Sequence, residues 1–331
     1  MKKKIMKVST ILMSAALLCS AFSGCAKEKK SITVYASAED FRIETAQKML
    51  NQKFPEYNIK IDYQSTGDLS AKLLAEGKDT EADIIWELEN PYLEKLGDNL
   101  ATLTDVDFSK YDDTLVPASR KYVPLDKSSG SIILNTSLLK EKGLEEPESY
   151  DDLLKPEYKG LVSMPSPKSS GTGYIFYLNM VNERGTEAAL EYFDKLSENI
   201  SGQGYTTSGS GPVQALKMGE AAIALGLTFQ AVSEITNGAD YKIVYFEEGA
   251  PYTVYSTALI EGRQNDEDIM KVFNYIIDEV NPHDNKLYTP EKVFKSRDFT
   301  LPNYPTDIKY ADMKGVSDIE VKNSLLDQWK Y

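Results

Sequence analysis

Residues 32–63 read ITVYASAEDFRIETAQKMLNQKFPEYNIKIDY. Ile32-Thr33-Val34-Tyr35 is a run of β-branched and aromatic residues, the composition of a short strand. A helical stretch follows from about Asp40 to Phe54, and Ile59 to Tyr63 then alternates as a half-buried strand. The same strand, turn, helix order continues outward. Leu69 to Glu76 predicts a helix, Asp83-Ile84-Ile85-Trp86 an apolar strand, and a further helix runs through Leu96. A second series begins near Ser131, with strands at Ile132–Asn135, Leu161–Met164, Ala221–Leu227 and Tyr241–Phe246. Its helices run from Gly173 to about Asn182 and from about Thr186 to Glu198. Strands alternating with helices imply parallel sheet and right-handed crossovers. Tyr252 to Ile260 is expected to return to the first series, with an acidic helix from Asp266 to Val280 and the tail to Tyr331 packed there. The fold class is α/β with two lobes, two crossing hinge segments and a ligand cleft between the lobes. Residues 31–130 plus 256–331 form lobe 1, and residues 131–255 form lobe 2.

The chain of 331 residues opens with a positive segment at Lys2, Lys3, Lys4 and Lys7. Ile11 to Leu18 (ILMSAALL) is apolar but too short to span a bilayer as a stable helix. Phe22-Ser23-Gly24-Cys25 then resembles a bacterial lipobox, in which the cysteine is acylated and becomes the first mature residue. Residues 1–24 are therefore expected to be a lipoprotein signal peptide and residues 25–30 a tether. The other cysteine, Cys19, leaves with the leader, so no thiol remains for a disulfide, a metal or a nucleophile. What remains exceeds the size at which single cores usually stop growing, roughly 250–300 residues, which favours two domains. The net charge of −14 argues against nucleic acid and against a basic membrane patch, so the lipid alone would hold the protein at the membrane.

Three hydroxyl- and glycine-rich junctions lie where strands give way to helices. They are Ser65-Thr66-Gly67-Asp68, Lys168-Ser169-Ser170-Gly171-Thr172-Gly173, and Thr206-Thr207-Ser208-Gly209-Ser210-Gly211 followed by Pro212. Backbone N–H groups at a helix start, together with side-chain hydroxyls, bind phosphate or carboxylate without a basic side chain. The same residues are also the ordinary helix-capping set. In doubly wound folds, ligands collect at the carboxyl ends of strands, where such junctions sit.

The run Ser149-Tyr150-Asp151-Asp152-Leu153-Leu154-Lys155-Pro156-Glu157-Tyr158-Lys159-Gly160 continues through Met164-Pro165 to Ser169-Ser170-Gly171-Thr172-Gly173-Tyr174. It resembles the signature of type 2 periplasmic binding proteins of the ferric iron, 2-aminoethylphosphonate and hexose-phosphate group. Thr207 to Pro212 with Gly219-Glu220-Ala221-Ala222-Ile223, Glu248-Gly249, and Tyr304 to Lys309 are similar to the same group in the same order. The resemblance implies a monomeric solute-binding protein, not an enzyme, that serves an ABC permease and its ATPase from the outer face of the cytoplasmic membrane and carries no cofactor. It implies a small anion seated on Ser169, Ser170, Gly171, Thr172, Ser208, Gly209 and Ser210. Ser37 and Thr66 would complete the site, Thr228 would cap it, and Tyr252, Tyr255, Trp86 and Glu87 would meet the rest of the ligand. Glu87 or Glu248 can pair with an amino group.

Ferric-binding members usually carry two adjacent tyrosines near the strand after the Gly-Glu motif, where this chain has Thr228-Phe229-Gln230. No metal site is therefore expected, and iron is the alternative ligand, with Tyr174, Tyr205, Tyr252 and Tyr255 as its available phenolates. With 21 tyrosines in the chain, scattered ones are more often packing residues. The sole histidine, His283, lies in the polar run Asn281-Pro282-His283-Asp284-Asn285, expected to be a solvated loop. A lone histidine and no mature cysteine remove the usual His-based triads and Cys/His zinc sites, leaving an extracellular hydrolase as the remote alternative.

Overall fold

A computed structural model of the chain describes residues 29–202 and 204–331, so the expected leader and the acylation of Cys25 lie outside the described residues. The first half runs β1 (Ser31–Ala36), α1 (Asp40–Lys53), β2 (Asn58–Tyr63), α2 (Thr66–Glu76), β3 (Ile84–Glu89) and α3 (Asn90–Leu96). Strand β4 (Tyr122–Asn135) leads to α4 (Thr136–Lys142), β5 (Val162–Ser163), α5 (Gly171–Arg184), α6 (Thr186–Leu196) and α7 (Gly211–Lys217). Then come β6 (Ile223–Leu227), α8 (Thr228–Thr236), β7 (Tyr241–Val244), β8 (Tyr252–Leu259), α9 (Glu267–Tyr275), α10 (Asn281–Leu287) and α11 (Ile319–Gln328).

The strands join in the order β2-β1-β3-β8-β4-β6-β5, with β7 also on β4. Strand β1 pairs in parallel with β2 and β3, and β5 pairs in parallel with β6. The expectation of parallel sheet holds only for those pairs. Strand β8 is antiparallel to β3 and β4, and β4 is antiparallel to β6 and β7, because long strands passing between the halves must run against their neighbours.

Strand β4 makes the passage in one piece. Its residues Tyr122 to Ser129 pair with β8, and from Gly130 onward it pairs with β6. At the crossover a side chain on Gly130 would run into the Phe176 ring and Pro251, the Cβ lying 2.9 Å from Phe176 Cζ and 3.1 Å from Pro251 Cγ. Two apolar cores flank this passage. One gathers Ile32, Val34, Ile84, Val272, Phe273 and their neighbours, and the other gathers Tyr158, Ile175, Phe193, Leu225 and theirs.

The tail departs from the sequence reading. Residues 266–287 cover the first core, as expected of the acidic helix. Tyr304, Ala311, Met313, Leu325 and Trp329 instead join the second core. Trp329 explains the docking, since its ring lies 5.1 Å from both Tyr177 and Phe193; a buried aromatic of this size outweighs the polar sequence around it. The polar run 281–285 is likewise helical rather than a loop. His283 is exposed on α10, while Asn281, Asp284 and Asn285 on the same helix are buried.

Candidate ligand cleft

The helix starts of both halves face one another across a single cavity of about 80 Å³. At roughly 10–15 Å³ per water, that is room for a compact solute rather than a polymer. The first half contributes Ser37 and Glu39 after β1, Tyr63, Ser65 and Thr66 around the end of β2, and Glu87 from β3. The second half contributes Ser169 to Thr172, Thr207 to Ser210, Leu227 and Gln230, and Tyr255 enters from the crossing strand β8.

Five helices begin at this cavity. The residues preceding them, Glu39, Ser65, Ser170, Ser210 and Leu227, are all lining residues. Their hydroxyls are not used alike. Ser65 Oγ accepts the Asp68 N–H at 3.3 Å and so caps α2. Ser170 and Ser210 make no such side-chain cap. The capping reading therefore accounts for the first junction and not for the other two. Ser170 and Thr172 are nevertheless buried, and the third junction packs directly on them: a Cβ at Gly209 would lie 2.6 Å from Thr172 Oγ1 and 3.2 Å from Ser170 Oγ. The glycine is what lets the two hydroxyl-rich turns meet.

Acidic side chains line the opposite wall. Strand β3 breaks register against β8 between Ile85 and Leu88, and Glu87 sits there with φ at 58°. A positive φ is uncommon outside glycine, and a β-bulge of this kind re-aims a side chain. Ser37 Oγ donates to the Glu87 carbonyl oxygen, which holds the bulge. Beneath it Arg42 is fully buried and faces four carboxylates. It donates through Nη1 to Glu87 Oε1 and Glu39 Oε2, and through Nη2 to Asp126 Oδ2 at 2.7 Å and Asp284 Oδ2 at 2.6 Å.

One guanidinium cannot neutralise four acids, three of them buried. Burial, with Asp126 as a like-charged neighbour, pushes the Glu87 carboxyl well above its usual range despite Arg42. Asp126 is pushed up to about 6 for the same first reason, loss of solvent. Burial likewise raises the Tyr255 phenol strongly. No lysine or arginine lines the cavity among the described residues, so negative charge there would be met by N–H groups and hydroxyls.

Eleven of the fourteen residues expected to contact ligand line this one cavity: Ser37, Thr66, Glu87, Ser169, Ser170, Gly171, Thr172, Ser208, Gly209, Ser210 and Tyr255. Thr228 and Tyr252 do not. Thr228 is fully buried, its hydroxyl shared with Ser129 at 2.9 Å and Tyr245 at 3.1 Å. Tyr252 packs on Tyr310 and covers the Lys127 ammonium. Strand alternation explains Tyr252, since Tyr255 is three residues further along β8 and faces the other way. Trp86 is also buried, donating its indole N–H to Asn281, and Glu248 pairs with Arg184 outside the cavity. Of the four tyrosines considered for iron, only Tyr255 reaches the cavity. Glu39, Tyr63 and Gln230 were not anticipated. For Glu39 the signal was its place between a strand and a helix start.

This arrangement, with two α/β halves joined by crossing strands over a cavity of helix N-termini, defines a two-lobed binding protein of the periplasmic type. The chain belongs to the bacterial extracellular solute-binding protein family, whose model matches residues 38–281. A Haemophilus influenzae protein described only as uncharacterized is 30% identical over 274 residues, covering 78% of this chain and 75% of the relative. Among solved structures, the periplasmic binding protein AfuA from Actinobacillus pleuropneumoniae, with fructose-6-phosphate bound, superposes at a TM-score of 0.80. It is 22% identical, covering 91% of this chain and 98% of its own. Iron-bound HitA from Pseudomonas aeruginosa gives 0.74 at 17% identity, covering 90% and 98%. The family and these neighbours are binding proteins rather than enzymes. Membership implies a small ligand, an extracytoplasmic location and the membrane components of an ABC importer as partners.

Proposed function

We propose that this protein captures a small anionic solute, a phosphonate such as 2-aminoethylphosphonate or a sugar phosphate, by closing its two halves over it, and delivers it to an ABC permease. The observation that carries this reading is the pair of uncapping hydroxyl turns at Ser170-Thr172, which is buried, and Ser208-Ser210, which packs on it from the solvent side, set at the starts of α5 and α7. The first N–H groups of a helix have no intrahelical partner, and the helix dipole favours an anion beside them. Charge-assisted hydrogen bonds to such an anion are stronger than neutral ones. The protein would act as a monomer held to the outer face of the cytoplasmic membrane by lipid on Cys25. A thermal-shift screen across phosphonates, sugar phosphates, inorganic phosphate, thiamine compounds and ferric salts tests the ligand class. A ligand at 100 times its Kd adds about 2.7 kcal/mol of apparent stability.

A ferric reading has one observation in its favour: Tyr63 and Tyr255 line the cavity together with Glu39 and Glu87, oxygen ligands of the kind a hard cation takes. Against it, burial strongly raises the Tyr255 phenol, which opposes the phenolate form that iron needs. Ferric citrate is therefore expected to give no visible phenolate-to-iron band, and a coloured protein would reverse this order.

A further inference from the structure

Besides the two crossing strands, the tail carries the chain between the cores once more. Val293 and Phe294 still belong to the first core, while Tyr304 and Ala311 belong to the second. Glu291, just ahead of this passage, is buried. Its carboxylate gathers donors from the neighbouring passages. Oε1 accepts the Ser129 N–H at 3.0 Å, the Ser129 hydroxyl at 2.7 Å and the Tyr304 hydroxyl at 2.7 Å. Oε2 accepts the Tyr310 hydroxyl at 2.8 Å, and the Tyr310 ring packs on Tyr252, the first residue of β8. Ser129 is the last residue of β4 to pair with β8, and Gly130 is the first to pair with β6. The carboxylate therefore grips the crossing strand at the point where it changes halves.

The donors are a backbone N–H and three hydroxyls, with no basic side chain among them. A buried carboxylate is tolerated only where hydrogen bonds replace its water, and four of them meet here. Burial and the nearby carboxylate push the Tyr304 and Tyr310 phenols upward, so both keep the hydrogens they donate. The contacts also lead inward. Ser129 gives its hydroxyl hydrogen to Glu291, so its oxygen accepts from Thr228 at 2.9 Å, and Thr228 accepts from Tyr245 at 3.1 Å. Thr228 is the first residue of α8; two residues further on, Gln230 lines the ligand cavity and bonds to Glu39 across it. Glu291, Ser129, Thr228, Tyr304 and Tyr310 all lie outside that cavity's lining. We propose that Glu291 is a positioning residue for ligand capture: it clips the crossing strand β4 to the tail and, through Ser129 and Thr228, sets the angle at which α8 carries Gln230 to the first half. The clip touches no solute, so its action does not depend on which solute the cavity takes. With the clip broken, the halves of the unliganded protein relax to a more open arrangement.

The test is a Tyr304→Phe, Tyr310→Phe double variant, which removes two hydroxyl donors and leaves both rings and every backbone acceptor in place. Amide hydrogen exchange and small-angle scattering are measured on variant and parent without ligand. The Ser129 and Gly130 amides are expected to exchange about tenfold faster, the scale of one lost hydrogen bond, while the Val34 and Tyr35 amides of β1 keep their rates. The radius of gyration is expected to exceed the parent's. Glu291→Ala, which removes the acceptor altogether, is expected to move both readings in the same direction and further. Exchange that quickens equally in β1 and at the crossing overturns the positioning role and leaves Glu291 a group that only stabilises the fold. A radius equal to the parent's in the double variant overturns it as well.

Discussion

Gln230, in the first turn of α8, donates to the carboxylate of Glu39, the residue before α1, at 3.0 Å across the cavity. The helix start of one half is thus tied to a helix start of the other, and the Phe229 ring beside Gln230 lies 5.5 Å from the Arg42 guanidinium. Such contacts belong to a closed form. Gln230→Ala is expected to shift the unliganded protein toward an open form, because a hydrogen bond to a charged group contributes about 1.5–3 kcal/mol. Small-angle scattering without ligand should show a larger radius of gyration for the variant. An unchanged radius would mean that this bond does not help hold the halves together.

Gly171 makes a second prediction. A Cβ built there would lie 1.3 Å from Glu89 Oε1, and that carboxylate cannot swing away freely because Lys322 donates to its other oxygen at 2.5 Å. Gly171→Ala must therefore displace either the pair or the start of α5. Overpacking of this sort typically costs about 1–3 kcal/mol, seen as a lower midpoint in denaturant. A variant as stable as the parent would show that the turn yields.

The Lys322–Glu89 pair is itself open to test. Both side chains are almost wholly buried, and the ammonium also lies over the Tyr92 and Tyr174 rings. Replacing Lys322 by methionine strands a buried carboxylate, a change that typically costs about 3–5 kcal/mol. Adding Glu89→Gln to that variant is expected to recover part of the loss in chemical denaturation. Absence of recovery would place the damage in lost packing of α11 rather than in the charge.

Stability should also respond to pH through Asp126. Its carboxyl titrates near 6 in the folded protein against 3.8 for the ordinary group, so the folded state holds the proton longer. The contribution of Asp126 to stability is then greatest below the lower value and falls as pH rises through this window, the sign for a raised acid. Glu87 is raised for the same reason and extends the fall upward. Asp126→Asn should flatten the slope between pH 4 and 6 in denaturant titrations. A slope identical to the parent's would assign it to other groups.

Much of this was legible in the sequence because local chemistry and tertiary position agree. The first two Ser/Thr/Gly junctions follow strands and the third follows an isolated bridge between Pro165 and Thr206, and in an α/β fold the ends of strands meet. What escaped notice depends on long-range packing. The sequence predicts only Ile132–Asn135 of strand β4, and its middle, Asp126-Lys127-Ser128-Ser129, is polar; yet Asp126, Ser128 and Ser129 are buried, held by Arg42 and Glu291. Arg42 and Asp284 lie 242 positions apart, and no local pattern announces their pairing. The tail was placed on the first lobe by chain order, whereas the aromatic contacts of Trp329 place it on the second core. Thr228 and Tyr252 sit one strand face or one turn away from residues that do reach the cavity, a distinction that composition does not carry.

On the function proposed above, the hydroxyls at the start of α5 hold an anion rather than cap a helix. Calorimetric titration of the parent and of the Ser170→Ala, Thr172→Ala double variant, with the tightest anion from the screen, tests it most directly. Each lost bond to a charged group is worth roughly 1.5–3 kcal/mol, so affinity should fall at least tenfold while the melting temperature hardly moves, since Ser170 makes no cap. Unchanged affinity with a melting temperature lowered by a lost cap of about 1 kcal/mol would contradict the claim and make these residues a helix start and nothing more.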